Sequence, residues 1–301
     1  MDAGITRAAL TSCASVYSGA LSMSQSVPSP RPQRVVLAAV FLFALAACGE
    51  GAGDASRPAP ARTIAAADAA PPPVALKDVL ETAPTHVVGI SYPPGLARYP
   101  GLAAHAQRYA EQARQHVADA VRQRANDPSR APYELSLEFK LKHESPQLVV
   151  LAVDGSSYTG GAHGTPMIQR WVWLPPENRL LTAAELFPED DSWQAISASV
   201  REQLRNAVAQ RMDADRVPPA ERAAAVRDAV ALIDGGTEAR ADDFAVFEPV
   251  MSADGKISAL RFVFPPYQVG TYADGMHTVE LPAAQLVGMV NPTYRRLFEA
   301  A

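Results

Sequence analysis

Cysteine is scarce in this chain of 301 residues. Only Cys13 and Cys48 occur, too few for the disulfide framework of a small secreted domain or for a zinc site built from several cysteines. The fold must therefore be held by its apolar core.

A long apolar run is lacking as well. The stretch Val35 to Leu45 holds eleven apolar residues, whereas a membrane-spanning helix needs about 20. A short apolar run that follows Arg31 and Arg34 and precedes small residues is typical of a secretory signal. Residues 1–47 are therefore predicted to be a signal peptide, with Met23 as an alternative start.

The apolar run ends in L-A-A-C at Cys48, which resembles the bacterial lipobox, where cleavage leaves a lipidated cysteine as the first residue. The resemblance implies acylation of Cys48 and an anchor in the membrane, with the protein facing the periplasm. Gly49 and not Asp follows the cysteine, which favours the outer over the inner membrane. Residues 48–83, rich in Ala and Pro near their start, are predicted to be a flexible tether.

An excess of basic residues is also absent. The formal net charge is −5, which argues against nucleic-acid binding, since such proteins carry a basic stripe. The sequence contains no His-x-x-x-His pair and no Gly-x-Ser-x-Gly elbow, which are signatures of metal-dependent and serine hydrolases. We expect no metal centre, no cofactor and no catalytic residue.

The remaining patterns alternate between strands and helices. Residues 86–92 are predicted to form a strand and residues 102–120 an amphipathic helix. From Tyr133 to Leu141, apolar and polar residues alternate without exception, which indicates a strand with one wet face. This strand and the next apolar run, 148–153, are expected to form an antiparallel hairpin.

The second half has its own start and stop signals. Thr182 and Glu185 have the spacing of a capping box, and Asp254-Gly255 between two apolar runs predicts a hairpin. A C-terminal helix is expected from about Pro292. The predicted class is α+β, mainly an antiparallel sheet with helices packed against it, in two consecutive β-α-β-type subdomains.

Two glycine-containing loops carry the candidate binding residues. One is S-Y-T-G-G-A-H-G-T, residues 157–165, and the other is F-V-F-P-P-Y-Q-V-G-T-Y-A-D-G, residues 262–275. Glycines allow positive φ or close backbone approach, and rings with polar groups make contacts to ligands. The candidates are Gly160, Gly161, His163, Gly164, Tyr267, Tyr272 and Asp274.

In this order, with the L-T-A-A-E-L-F turn between them, the two loops resemble the C-terminal domain of RsiV-like proteins, which we place at residues 158–301. Residues 84–157 resemble the companion domain found in RsiV and in the polysaccharide deacetylase PdaC. RsiV-like proteins are membrane-anchored, and the type member binds lysozyme outside the cell and a sigma factor inside it. A chain that begins at Cys48 has no cytoplasmic part, so the resemblance implies recognition without the anti-sigma role.

Several roles stay open for the loop residues. His163 is a turn histidine, a ligand contact, or a general base for the serines next to Asp154; the spacing favours the first. A metal triad of His163, Asp274 and His277 requires the two loops to meet.

The aromatic residues leave two roles open as well. Trp171 and Trp173 share one strand face and, with Tyr267 and Tyr272, either form a glycan platform or pack in the core, and packing is favoured for the tryptophans.

The predicted function is binding or sensing by an envelope lipoprotein, without catalysis. Candidate ligands are peptidoglycan and a lysozyme-like protein. The alternatives are an envelope hydrolase acting on cell-wall glycan or ester and a purely structural lipoprotein. The sequence does not indicate the oligomeric state.

Overall fold

The computed structural model describes residues 76–124 and 131–299, which fall within one compact unit, Ala66–Ala301. The predictions for residues 1–75, including the signal peptide and the acylation of Cys48, lie outside the described residues. None of the helices in the two described ranges has the length and hydrophobicity that crossing a membrane requires.

A six-stranded sheet is built from the first half of the described chain. Its strands follow each other in chain order, and every neighbouring pair is antiparallel except β2 and β3, which are parallel. The parallel pair is joined by helix α1, Pro100–Gln123. The strands are β1 Val79–Ala83, β2 His86–Ser91, β3 Tyr133–Glu144, β4 Val149–Tyr158, β5 Thr165–Leu174 and β6 Arg179–Leu181.

The second half contributes a three-stranded antiparallel sheet in the order β7-β8-β9. Four helices complete it, of which α3 and α4 are long. The strands are β7 Phe247–Met251, β8 Ile257–Phe264 and β9 His277–Pro282, and the helices are α2 Ala183–Leu186, α3 Asp190–Ala214, α4 Pro219–Gly235 and α5 Ala283–Leu286. The predicted α+β class is confirmed.

Two hydrophobic cores lie on opposite faces of the larger sheet. One face packs against α1, and there Leu135, Leu137 and Trp171 are buried. The other face of β4 and β5 packs against α3 and the second sheet, so β4 begins with five buried residues in a row. On β3 the outer face stays exposed, and its burial alternates residue by residue as the sequence predicts.

The local signals of the sequence are found in place. Thr182 and Glu185 form both hydrogen bonds of the capping box at the start of α2. Gly255 has φ of 72° in the turn between β7 and β8, as expected of an Asp-Gly hairpin. Trp171 and Trp173 are 8 % and 6 % exposed, so the favoured interpretation of these two residues as core packing is confirmed.

Three boundaries differ from the predictions. Strand β1 lies inside the predicted tether 48–83 and pairs with β2, so ordered structure begins before residue 84. The predicted division between residues 157 and 158 falls inside β4, one residue before its end, and it separates β4 from β5, which are paired in one sheet. In place of a C-terminal helix there is a 3-10 turn, Arg295–Leu297, because Phe298 forms a bridge to Ile257 at the edge of the second sheet.

A chain of charged side chains connects the two sheets. Arg170 of β5 and Glu248 of β7 have side chains only 7 % exposed, and Arg170 Nε lies 3.1 Å from Glu248 Oε2. The pair is an ion contact without the alignment of a hydrogen bond. Arg170 also bonds Asp154 at 2.9 Å, and Arg261 of β8 bonds the other Glu248 oxygen at 2.6 Å.

Candidate functional site

The loop between β4 and β5 and the loop between β8 and β9 meet in space. His163 Nε2 of the first loop lies 2.6 Å from the hydroxyl of Tyr267 in the second. The imidazole also stacks on the Tyr272 ring, with centroids 4.0 Å apart and planes 13° apart. We call His163, Tyr267 and Tyr272 the ring cluster.

The ring cluster is on the surface. Tyr267 is 54 % exposed and Tyr272 38 %, and His163 is exposed as well. Tyrosines usually keep their apolar ring partly covered and their hydroxyl wet. Two neighbouring tyrosines with this much exposed ring surface are typical of a binding surface.

The hydrogen bonds of His163 define the tautomer of its neutral ring. Nδ1 lies 3.3 Å from the carbonyl oxygen of Gly164, which can only accept, so Nδ1 carries the proton. Nε2 then accepts the hydrogen bond from the Tyr267 hydroxyl. The imidazole is thereby fixed between its own turn and the facing loop.

Tyr267 has a backbone conformation that is unfavourable for a tyrosine. Its φ is 76°, and the amide of Gln268 donates to the carbonyl of Pro265 at 3.1 Å. Proline at the second position and positive φ at the third are the pattern of a type II turn, where glycine is the usual third residue. Non-glycine residues with positive φ are held in place by their surroundings and concentrate at functional sites.

Two anchors hold the second loop in this conformation. The side-chain amide of Gln268 donates to the carbonyls of Gly236 at 3.0 Å and Asp243 at 2.7 Å. Asp274 accepts from the backbone and hydroxyl of Thr271, each at 2.7 Å. Arg211 of α3 donates to the second Asp274 oxygen at 2.6 Å. The ring cluster is therefore pre-organised, which reduces the entropy lost when a ligand binds.

The electrostatics behind the second loop are set by Asp274 and His277. Burial alone disfavours the charged carboxylate, but the Thr271 hydrogen bonds and the Arg211 guanidinium outweigh it and lower the pKa of Asp274. Burial also lowers the pKa of His277. Around neutral pH an ionised Asp274 thus lies near a neutral His277.

The predicted glycines differ in their geometry. Gly160 and Gly161 have φ of 106° and 98°, so a β-branched residue is strained at either position. Gly164 does not have a positive φ, and a Cβ placed there would be 3.4 Å from the nearest atom, an ordinary contact. The expectation of positive φ or close backbone approach therefore fails for Gly164, which has room for a side chain.

The contacts of His163 bear on the two alternative roles, a general base in a hydrolase and a metal ligand. Within residues 76–124 and 131–299, the hydrogen bonds of His163 go to Tyr267 and to the backbone of Gly164, and none goes to a serine or a carboxylate. Asp154 is paired with Arg170. In the same part of the chain, no group of three His, Cys, Asp or Glu side chains has the geometry to hold a metal ion.

One supporting residue was missed at the level of sequence. Arg211 was not among the candidate residues, yet it lies on α3 and bonds Asp274, 63 residues further along the chain. No local pattern signals such a pair, because an arginine on an exposed helix face has the same spacing whether or not a distant loop contacts it.

Comparisons with known proteins give one family match. Residues 89–165 match the family model described as Deacetylase PdaC. That segment contains the second half of β2, then α1, β3 and β4, so the predicted likeness of the first half to PdaC is confirmed there. No curated protein matches this chain.

Solved structures with a similar chain path come from the DUF3298 family. A family protein from Pseudomonas aeruginosa PAO1 has 16 % identity and a TM-score of 0.49, covering 75 % of this chain and 94 % of its own. A member from Bacteroides fragilis NCTC 9343 has 18 % identity and a TM-score of 0.44, covering 72 % of this chain and 93 % of its own. The RsiV-like assignment of residues 158–301 stays a prediction.

Proposed function

We propose that this protein is a non-catalytic binding protein of the bacterial cell envelope and that the ring cluster is its ligand contact. The observation that carries the proposal is the exposed group of His163, Tyr267 and Tyr272, assembled from two loops far apart in sequence. Tyrosine supplies a large amphipathic contact area at a small entropic cost, which is why it dominates binding surfaces.

Cell-wall glycan is the ligand that this surface fits best. Sugar rings stack on exposed aromatic faces, and their hydroxyls bond to phenol groups at the ring edges. The two tyrosine rings lie with their centroids 5.7 Å apart and their planes tilted by 36°, so they offer two ring surfaces at close spacing. A lysozyme-like protein is the second candidate, because the loop that carries Tyr267 also carries the resemblance to RsiV-like proteins.

The binding proposal is tested by co-sedimentation of the full mature protein with insoluble peptidoglycan. Tyr267→Ala and Tyr272→Ala should each weaken binding at least about tenfold, since a ring at the centre of an interface is worth about 1.4 kcal/mol or more. Tyr267→Phe keeps the ring and should retain most of the binding. Leu80→Ala removes an 84 % exposed apolar side chain outside the cluster and should change nothing.

The other outcomes identify the ligand or reject the role. Binding to lysozyme but not to peptidoglycan, lost in the same two alanine variants, would identify the second candidate. Release of acetate or hydrolysis of an ester that disappears in His163→Ala would show an enzyme. Full binding by both alanine variants would reject the ring cluster as the contact.

We also propose that the protein is anchored in the outer membrane through Cys48, which would place the ring cluster next to the cell wall. The proposal rests on the L-A-A-C sequence and on Gly49 after it. Cells fed with labelled palmitate should label the wild type, and Cys48→Ala should carry no label and remain unprocessed. Equal labelling of both proteins would exclude lipidation at this cysteine.

A further inference from the structure

A cavity lies between α3, α4 and residues 269–277. Its outer part has a volume of about 250 Å³, and an inner lobe of about 120 Å³ adjoins it. Val208, Arg211, Val269 and His277 line both parts. The two parts therefore form one site that opens between the helices.

The inner lobe is mainly aliphatic, although Arg211 and His277 also line it. Leu204, Val208, Ile233 and Val269 line it, and each is at most 9 % exposed. An apolar cavity of about 150 Å³ in another protein holds a benzene molecule. The lobe is slightly smaller, which suits a branched side chain of three or four carbons.

The outer part is charged, with both signs present. Arg211 lies on its wall, paired with Asp274, and Asp228 of α4 also lines this part. Arg211 uses Nη1 for its bond to Asp274, and a guanidinium has five N–H donors to offer. A simple anion would meet two carboxylates here, and a simple cation would meet the guanidinium. A group that carries a carboxylate and an ammonium together complements all three.

One polar atom of the wall lacks a partner. His277 Nε2 is buried and accepts or donates no hydrogen bond among the described residues. A Cβ on Gly270 would lie 2.8 Å from this nitrogen, so the glycine leaves the space beside it free. An unpaired buried polar group is destabilising, and a ligand with hydrogen-bonding groups at this wall offsets that penalty.

We propose that this cavity binds a free aliphatic α-amino acid. The side chain occupies the inner lobe, the carboxylate pairs with Arg211, and the ammonium group lies against Asp274 and Asp228. Charge-assisted pairs fix the orientation of the backbone groups, and the lobe selects the side chain. The site is separate from the ring cluster and goes beyond the envelope-binding role.

Isothermal titration of the full chain with L-valine and L-leucine tests the proposal directly. Both should bind saturably, and glycine, which leaves the lobe empty, should bind at least about tenfold more weakly. N-acetyl-L-leucine lacks the ammonium group and L-leucinamide lacks the carboxylate, so each should also lose about tenfold or more. Leucyl-glycine has an amide in place of the leucine carboxylate, so like leucinamide it should bind about tenfold more weakly than leucine.

Matched variants separate the site from the rest of the surface. Arg211→Gln should weaken leucine binding about tenfold or more, whereas Arg205→Gln should not. Both arginines lie on α3 with side chains 45 % exposed, and Arg205 is paired with Asp234 at 2.5 Å away from the cavity. Ala229→Leu fills the outer part without changing a charge and should abolish binding, and Ala224→Leu on the exposed side of α4 is its control.

Three results would overturn the proposal. One is the absence of saturable heat with every amino acid tested up to about 10 mM, since a Kd above that value is too weak for specific binding. The second is unchanged leucine binding in both Arg211→Gln and Ala229→Leu. The third is equal affinity for leucine and its two singly charged derivatives. Tyr267→Ala should leave leucine binding intact, so failure of this site and failure of the ring cluster are distinguishable.

Discussion

Replacing Glu248 by alanine should lower the free energy of unfolding by about 3–5 kcal/mol, the range for removing one partner of a buried ion pair. Glu248 is 7 % exposed and accepts contacts from two guanidinium groups, Arg170 at 3.1 Å and Arg261 at 2.6 Å. Without it, the one carboxylate left to Arg170 is that of Asp154, whose side chain is 43 % exposed, beside the backbone carbonyls of Val153 and Gln169. The Arg170 guanidinium would then stay buried between the two sheets without the carboxylate of Glu248 to balance its charge.

Glu280→Ala is the matched control for this experiment. Glu280 also bonds Arg261 at 2.6 Å, but its side chain is 48 % exposed, and exposed pairs contribute about 1 kcal/mol or less. Urea denaturation of the full chain measures both variants. A loss for Glu248→Ala no larger than that for Glu280→Ala would show that the chain of charges does not hold the sheets together.

A double replacement distinguishes an ionic contribution from packing. Arg170→Met combined with Glu248→Leu removes both buried charges and keeps the volume similar. Exchanging a buried ion pair for apolar side chains is often neutral or stabilising, so the double variant should recover much of the stability lost by Glu248→Ala. If the double variant is no more stable than Glu248→Ala, the contact between the two sheets depends on the charges of Arg170 and Glu248 and not on the volume of their side chains.

The parts of the fold that sequence could predict are those fixed by neighbours in the chain. The alternation in β3, the capping box at Thr182 and the Asp-Gly turn each depend on residues within a few positions of one another, and all three are confirmed. Strand β1 was missed because five residues with a half-buried pattern give too short an alternation to separate an edge strand from a tether. Its stability comes from pairing with β2, which is a property of the sheet.

The arrangement of the sheets depends on contacts that local patterns do not contain. β4 and β5 were assigned to different subdomains because the resemblance to the companion domain was taken to end at residue 157 and the resemblance to the RsiV-like domain to begin at residue 158. In the structure the loop between them is the turn of one hairpin. The C-terminal segment has helical spacing, yet the bridge from Phe298 to Ile257 draws it to the second sheet after one 3-10 turn. For this segment, pairing with a strand far away in sequence outweighs the local preference for a helix.

The sequence was enough to predict which residues belong to the candidate site, but not that the two loops meet in space. Glycines and aromatic residues marked both loops, and His163, Tyr267 and Tyr272 were among the candidates. Their meeting joins residues 104 positions apart, which no periodicity encodes. The positive φ of Tyr267 is equally hidden, since the Pro-Pro before it is compatible with several turn types. The conformation is set by the anchors at Gln268 and Asp274, and those depend on α3 and on the end of α4.

Gly155→Ala should be strongly destabilising, by about 3 kcal/mol, the upper part of the range for overpacking a well-packed site. Gly155 lies in β4 opposite Leu137 of β3. A Cβ there would be 2.0 Å from the carbonyl oxygen of Ser136 and 3.0 Å from Cα of Leu137. Both atoms belong to the backbone, so no change of rotamer relieves the overlap and the two strands must separate.

Gly89→Ala is the matched control, because Gly89 lies in β2 of the same sheet and a Cβ there meets nothing within 4 Å. Alanine restricts the unfolded chain more than glycine does, so this variant should be unchanged or more stable by up to about 1 kcal/mol. The same substitution in two neighbouring regions of one sheet should therefore change stability in opposite directions. Urea denaturation measures the difference, and hydrogen exchange should show faster opening of the β3–β4 amides in Gly155→Ala alone. If the two variants have equal stability, the close approach of β3 to β4 at this glycine is not a feature of the folded protein in solution.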